Sequence, residues 1–370
     1  MFSNRVYEIT DRKQAAPLFA GWEETLIWCC LQGPMGYIYG DCSEKPVSAM
    51  ALLGDFCFFA GKPCRELVQY KPQSCGQNSV IMVPRDEGWA RVIEECFPGE
   101  GVADGREISG SERFCGAGET SGSERFCGAG ETSGSERFCA AGMNSWSEGL
   151  CEAEEISGNE ILWGTGKNSG RGGLPQAKKV LRYAIRKEPD LFIGDIMERL
   201  RAAAEALPEG YELKMMDEEL FWRCRGIPWC RDWVSQYADY RMYKACGLGA
   251  VILKDGDPVS GASSYSGHLG SRTEEAFWKA GYFERTGITA EVAPAHFLAE
   301  TPSIEIEIDT REDFRRKGLA FICGAKLILE CCKKGWYPSW DAQNLWSVAL
   351  AEKLGYHFDH AYTAYEISNW

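Results

Sequence analysis

Glu305, Glu307 and Asp309 alternate with Ile304, Ile306 and Ile308 in the run Ser303-Ile-Glu-Ile-Glu-Ile-Asp-Thr310. In a β-strand this period of two puts the isoleucines on one face and the three carboxylates on the other. On an edge strand the acids would be solvated and chemically ordinary. On a central strand they need a pocket or water, and burial there raises a carboxylate pKa.

Soon after this strand comes Arg315-Arg-Lys-Gly-Leu-Ala320, which leads directly into a helical pattern. Small residues at Gly318 and Ala320 let the backbone approach a ligand closely. The first turn of the helix offers N–H groups without internal acceptors, at the positive end of the helix dipole. With Arg315, Arg316 and Lys317 alongside, the segment through Leu319 describes a cradle for an anion such as a diphosphate.

Other conspicuous residues lead elsewhere. The glycine-rich segment Trp163 to Gly173 lacks the spacing and the preceding strand of a phosphate loop, so it reads as a linker. Cys224 and Cys230 have no second pair, and the chain holds only four histidines, so no structural metal is expected. His357 and His360 are expected on a strand surface or in the core. Trp336, Trp340 and Trp346 are expected in the core, where Trp340 could also line an acceptor pocket.

These groups need a scaffold, and 370 residues suffice for two compact domains. At 45% hydrophobic and 12% aromatic residues the chain can bury a real core. Its net charge of -14 opposes sequence-independent binding to nucleic acid and to anionic membranes. The N-terminus lacks the apolar core of a signal peptide, and no run has the length of a membrane helix. The seventeen cysteines are therefore expected as reduced, mostly buried thiols in a cytoplasmic protein. Oligomeric state is not legible.

A twelve-residue unit, Ser-Gly-Ser-Glu-Arg-Phe-Cys-Gly-Ala-Gly-Glu-Thr, begins at Ser109 and Ser121 and again, slightly altered, at Ser133. Half its residues are small or turn-forming, so it reads as an inserted low-complexity repeat within about 101–178. Around it, helices are expected at Trp22–Leu31, Glu87–Phe97 and Ile193–Leu207. Strands are expected at Tyr37–Tyr39, Ser48–Leu53, Ser79–Val83, Val180–Ile185 and Tyr211–Met215. This gives an N-terminal α/β domain over 1–207.

The second domain, 208–370, opens with a hairpin, Gly249–Leu253 and Val259–Tyr265 around Lys254-Asp-Gly-Asp257. A second insert is expected at about 267–302. The acidic strand, a helix over Leu319–Lys334, a strand at Trp336–Asp341, a helix at Leu345–Leu354 and a strand at Tyr356–Ile367 follow. The fold class is α/β (α+β), a mixed sheet flanked by helices.

Strand, Arg-x-x-Gly-x-Ala, long helix, strand, and then Asn344-Leu-Trp-Ser347 ahead of Ala351-Glu-Lys-Leu-Gly-Tyr356 resembles the GNAT N-acetyltransferase superfamily. The wording Ile304 to Asp313, Tyr337-Pro-Ser-Trp-Asp-Ala-Gln-Asn344 and Gly355-Tyr-His-Phe-Asp359 is similar to a two-domain bacterial branch related to the zwittermicin A resistance acetyltransferase. The resemblance covers nearly all the chain outside the inserts and is most specific from Gly249 onward. It implies acetyl-CoA as co-substrate, held by the backbone of Ile308, Asp309 and Thr310 and by the Arg315–Ala320 loop, with Asn344 and Ser347 near the pantetheine.

The same resemblance implies a carboxylate base, Glu305 or Glu307, and a tyrosine acid. At the matching place the chain has Ala351, and Tyr356 lies five residues later, either as that acid or in the core. The implied activity is transfer of an acetyl group to a primary amine of a small molecule, by direct attack in a ternary complex. A cationic acceptor, polyamine-like or aminoglycoside-like, suits the negative charge. The alternative is a non-catalytic acyl-CoA sensor or scaffold of the same fold; an aminoacyl-tRNA donor is disfavoured by the acidic surface.

Overall fold

The structure is a computed structural model that describes residues 6–32, 35–72, 78–99, 174–269 and 301–370. The twelve-residue repeat, the glycine-rich segment after it and most of the second expected insert lie outside the described residues.

Two sheets organise the chain. The first is built from β1 (Tyr7–Glu8), β2 (Tyr37–Gly40), β3 (Ser48–Leu53), β4 (Phe56–Gly61), β5 (Ser79–Pro84), β6 (Gln176–Ile185), β12 (Asp341–Ala342) and β13 (Phe358–Ser368). Its order is β1-β2-β3-β4-β5-β13-β6-β12. The second holds β7 (Tyr211–Met215), β8 (Gly249–Lys254), β9 (Asp257–His268), β10 (Ser303–Thr310) and β11 (Tyr337–Ser339), in the order β11-β10-β9-β8-β7.

The chain walks the same path twice. From β1 to β5, successive neighbours are antiparallel until β4 and β5, which are parallel. From β7 to β11, neighbours are again antiparallel until the parallel pair β10 and β11. A parallel pair needs a crossover, and here the two halves differ. The first half uses α2 (Arg65–Gln69), a single turn, whereas the second uses α7 (Leu319–Lys334), with 16 residues.

Why α7 is long is plain in its sequence. Leu319, Ile322, Cys323, Leu327, Ile328 and Cys331 recur at helical spacing and are buried in one core with Ile304 and Ile306 of β10. Lys333 and Lys334 lie in its last turn, and Gly335, at φ 68, closes it in the left-handed conformation. On the far side of α7 lies α4 (Gly194–Glu205), which contributes Leu200 and Ala203 to the same core.

The opposite face of β9 and β10 is covered by the first half of the chain. There α1 (Thr25–Gln32), apolar at nearly every position and almost wholly buried, packs on both strands. The core it joins also holds residues of α5 (Glu218–Arg225) and α6 (Tyr240–Cys246), so one apolar interior runs between the sheets. The remaining helices, α3 (Glu87–Cys96) and α8 (Leu345–Lys353), follow β5 and β11 in corresponding places.

A division at residues 207 and 208 separates β6 from β7 but does not hold at the C-terminus. Instead, β13 inserts between β5 and β6, pairing with β6 from Phe358 to Ser368 and with β5 from Tyr365 to Ser368. Sequence patterning marks a strand but not its partner, because alternation is blind to which sheet edge is free.

The ends of the repeat-bearing segment come together. A Cβ placed on Gly99 would sit 3.0 Å from the carbonyl oxygen of Ala177. Replacing residues 105–173 with a short Gly-Ser linker is therefore expected to leave soluble, folded protein. Its Tm should match the parent or exceed it by a few degrees, since each halving of a loop saves only ~0.6 kcal/mol. Scanning calorimetry of the two proteins checks this; a fall of ten degrees or more would contradict it.

Candidate active site

The three acids of β10 share one face, as the alternation requires. The register between β10 and β9 shifts once, and the extra residue belongs to β9. Glu305 pairs with Ser266 and Ile306 with Ser264, which leaves Tyr265 without a partner in β10. The alternation of β10 is intact. The Tyr265 hydroxyl instead reaches the first half of the chain, donating to Asp55 Oδ1 at 2.7 Å.

Parallel pairing of β10 with β11 stops early. Ser303, Ile304 and Glu305 pair with Tyr337, Pro338 and Ser339, and there β11 ends. After Trp340 the chain crosses to the other sheet as β12, where Asp341 and Ala342 pair with Ala184 and Tyr183 of β6. The single strand expected at Trp336–Asp341 is thus two, in different sheets. From Ile306 to Thr310, β10 has no strand partner on that side, so a wedge opens with Glu305 at its apex.

Glu305 is only 5% exposed, and among the described residues neither of its oxygens makes a hydrogen bond of normal geometry, although the Asp341 backbone N–H lies near enough to favour the ionised form. Ser339 Oγ, buried opposite it on β11, is also unpartnered, although the Ser339 hydroxyl stands close enough to favour the ionised carboxyl. Burial raises the pKa of Glu305, and Asp341 raises it further. Lys187 opposes both. Lys187 Nζ donates to Trp340 O at 2.9 Å. Burial alone would lower the Lys187 pKa, but Glu305 and Glu24 outweigh burial and raise it.

Glu24, immediately before α1, completes the inner group. It is 8% exposed, and burial with the repulsion of Glu305 pushes its pKa up to about 8. Asp341 is held apart from this group by Arg182, whose Nε and Nη2 meet Asp341 Oδ2 at 2.8 and 2.6 Å. The Tyr362 hydroxyl donates to the same carboxylate at 3.0 Å.

Glu307 and Asp309 lie further out, partly buried. Burial, then repulsion from Asp309, Asp232 and Asp55, puts Glu307 well above the usual carboxylate range. Burial and Asp232 bring Asp309 to about 6. Between them, Ile308 packs on the apolar side. Thr310 Oγ1 and Ser260 Oγ share a hydrogen bond of 2.7 Å that fixes the end of β10 against β9.

The Arg315–Ala320 loop takes the form an anion cradle needs. Arg316 and Gly318 both have positive φ, 61 and 77, so the chain coils tightly before α7. A Cβ on Gly318 would meet nothing within 4 Å, and α7 has no side-chain cap, unlike α3, α5, α6 and α8 with their Asp or Asn caps. Arg315, Arg316, Lys317 and Gly318 are exposed, Leu319 is buried, and Ala320 is half-buried. Arg315 Nε donates to Thr310 O at 3.3 Å, and Lys317 Nζ lies 4.4 Å from the ring centre of Phe314. These residues fit a diphosphate through backbone N–H groups and flanking charge.

Beyond β11, Asn344 caps α8, accepting from Ser347 N at 3.0 Å, and Ser347 Oγ accepts from Trp340 Nε1 at 3.0 Å. Both lie at the start of α8, with the Asn344 amide still able to donate. Tyr356 stands apart. Its hydroxyl donates to Pro338 O at 2.7 Å and its ring packs edge-on against Phe192 and Trp340. Burial raises the phenol well above its usual pKa. That is a core role, and nothing Tyr356 touches lies on the acidic face. Tyr356→Phe is expected to cost about 1–3 kcal/mol of stability by orphaning Pro338 O, with kcat changed less than a few-fold; urea unfolding beside steady-state rates checks both halves.

Among the tryptophans, Trp340 is buried, but Trp346 is 82% exposed on α8, not in the core. His357 and His360 are exposed and pair with Glu188 and Asp359. Cys29, Cys30 and Cys331 are buried free thiols, and Cys332 is half-buried. Among the described residues no cluster of His, Cys, Asp and Glu could hold a metal ion, and no helix is long and apolar enough to cross a membrane.

Sequence reasoning missed Glu24, Asp55, Lys187 and Arg182, which reach the site from the first half. The available signal was slight: two acids, Glu23 and Glu24, directly before Thr25 and the apolar run Leu26–Leu31 of α1.

Comparison with known proteins bears on the family and the fold. The GNAT acetyltransferase family model matches residues 16–107, 174–273 and 292–365. The N-acetyltransferase YdfB of Bacillus subtilis (strain 168), itself uncharacterized, is 34% identical over 128 residues, covering 31% of this chain and 48% of that protein. The match thus spans about half the length of that curated relative. A GCN5-related N-acetyltransferase-like protein from Streptococcus suis 89/1591, solved by crystallography, superposes with a TM-score of 0.62 at 32% identity, covering 96% of this chain and 98% of its own. With the family model matching well over half the sequence and a full-length structural relative at that identity, the chain belongs to the GNAT acetyltransferase family, a family of acyltransferases.

Proposed function

We propose that this chain transfers an acetyl group from acetyl-CoA to a primary amine of a small cationic molecule, by direct attack in a ternary complex, with Glu305 as the general base. The observation that carries the reading is Glu305 itself, a buried carboxylate at the apex of the β10–β11 wedge, with neither oxygen in a hydrogen bond of normal geometry among the described residues. Such a group costs stability unless something else uses it.

Acetyl-CoA supplies the activated thioester. The backbone of Ile308 to Thr310 and the Arg315–Ala320 loop would hold it, with Asn344 and Ser347 nearby, in the second half of the chain. The first half offers no equivalent: its crossover begins Lys62-Pro-Cys64 before a one-turn helix. Glu305, when ionised, takes a proton from the acceptor's ammonium, directly or through water. The freed lone pair forms the new C–N bond as the C–S bond breaks and the sulfur leaves with the electron pair; the second proton then passes from nitrogen, through water, to the thiolate, giving the amide and free thiol. Lys187 opposes the burial that raises the Glu305 pKa and so favours the ionised form that a base needs.

The test is incubation with acetyl-CoA and a panel of small primary amines, following free thiol and the acetylated amine by mass spectrometry. Equal yields of thiol and acetylated amine are expected for at least one cationic amine. Binding of acetyl-CoA without turnover of any amine would favour the sensor reading instead.

A further inference from the structure

The polar face of β10 is lined by more carboxylates than the chain neutralises. Glu305, Glu307 and Asp309 come from the strand, Glu24 and Asp55 from the first half, and Asp232 from the 3-10 turn Arg231–Trp233 beside it. Arg182 is paired with Asp341 and acts more weakly on Asp55 and Glu307, Arg315 acts on Asp309, and Lys187 faces Glu24 and Glu305. For Asp55, Glu307, Asp309 and Asp232, no ion pair forms among the described residues.

Exposure grades along this face. Asp232 is exposed, Asp309, Glu307 and Asp55 are partly buried, and Glu24 and Glu305 are nearly sealed. At the sealed end gather the groups that make no hydrogen bond of normal geometry among the described residues: both oxygens of Glu305, Ser339 Oγ and, next to Glu24, Thr25 Oγ1. The acids do not converge as metal ligands do. A distributed cation fits them, and a point cation does not.

We infer that the acceptor site is built by both halves of the chain and takes a flexible amine with at least two ammonium groups. The reacting one sits between Glu305 and Glu24, and a second is held by Asp55 and Glu307, with Asp309 and Asp232 guiding entry. Acids on one strand face repeat every ~7 Å, a spacing that a short alkyl chain between two nitrogens spans. Charge-assisted hydrogen bonds to a desolvated carboxylate are among the stronger polar contacts, so each ammonium adds both affinity and register. Burial and mutual repulsion raise Asp55 and Glu307 in the free protein, and a bound ammonium relieves both.

This inference rests on the acetyl-transfer reading, and its test separates the two. Spermidine, putrescine and n-butylamine are compared by calorimetric binding to the CoA-loaded full-length chain and by acetylation kinetics. Spermidine and putrescine are expected to show KM and Kd values at least about tenfold below those of butylamine. Asp55→Asn, which keeps the Tyr265 hydrogen bond, and Glu307→Gln should each raise putrescine KM about tenfold and shift butylamine KM far less, so that the diamine preference is lost. Asp232→Asn, at an exposed position, gives a milder shift in the same direction and stands in if a buried variant fails to fold.

Equal affinity for butylamine and putrescine, an unchanged preference in these variants, or binding of none of the three overturns the inference. Diamine-selective binding without acetylation keeps the site and sinks the transfer reading. Acetylation of monoamines with no diamine preference does the reverse.

Discussion

Glu305→Gln is expected to lower kcat by about a hundredfold or more at neutral pH while leaving acetyl-CoA affinity unchanged. Glutamine keeps the shape of the side chain and removes the proton acceptor. The loss should shrink as pH rises, because more of the amine arrives deprotonated and needs no base. In the parent, burial places the Glu305 pKa above its usual value, so activity rises with pH as the carboxyl ionises and falls toward acid.

The same shift makes a stability statement of opposite sense. A carboxyl whose folded pKa exceeds the unfolded value of 4.5 contributes stability that is fully present below that value and lost as pH rises through the folded pKa. Glutamine never ionises, so the variant should melt higher than the parent in alkaline buffer and gain little below pH 4.5. A slower but sturdier enzyme would mark Glu305 as a group kept for chemistry. Near-normal rates at neutral pH, with a true acceptor in hand, would move the base to water or to Glu307.

Gly318→Glu should abolish measurable binding of CoA, a loss of at least ~100-fold, while the fold survives. The position has φ 77 and open space around its Cβ, so the new side chain meets no protein atom. Its cost to stability is that of a side chain in left-handed backbone, about 1–2 kcal/mol. Its effect on binding is larger, since a carboxylate would stand among the N–H groups of the first turn of α7 and repel a diphosphate. Gly318→Ala pays the same backbone cost without the charge and should retain most of the affinity. Titration calorimetry on both variants decides; equal affinities for the parent and Gly318→Glu would remove the loop from the site.

Local patterns were legible in the sequence wherever one element made its own case. The alternation at Ser303–Thr310 gave β10 its faces, and the apolar stripe from Leu319 gave α7 both its ends. Tyr211–Met215 and Ser48–Leu53 match their strands residue for residue. What the sequence hid was partnership. Trp340 lies where one apparent strand divides between two sheets, and β13 pairs across the molecule with β6.

The candidate site shows the same limit. The cofactor loop is contiguous and could be read directly. The deep end of the site joins Glu24, Lys187, Glu305 and Ser339, brought together only because α1 and β6 close over the second sheet. Phe56–Gly61 was missed as a strand because, buried on both faces, it carries no alternation to read. Tyr356 was read as acid or core, and in the structure it is buried with its hydroxyl bonded to Pro338 O.

The second half of the chain, and not the first, is expected to hold acetyl-CoA in the wedge beside Glu305. Titration of the intact protein with acetyl-CoA tests this most directly. One molecule bound per chain, displaced by free CoA and lost in Gly318→Glu, is the expected result. No binding, or two molecules per chain with one surviving that substitution, would contradict it.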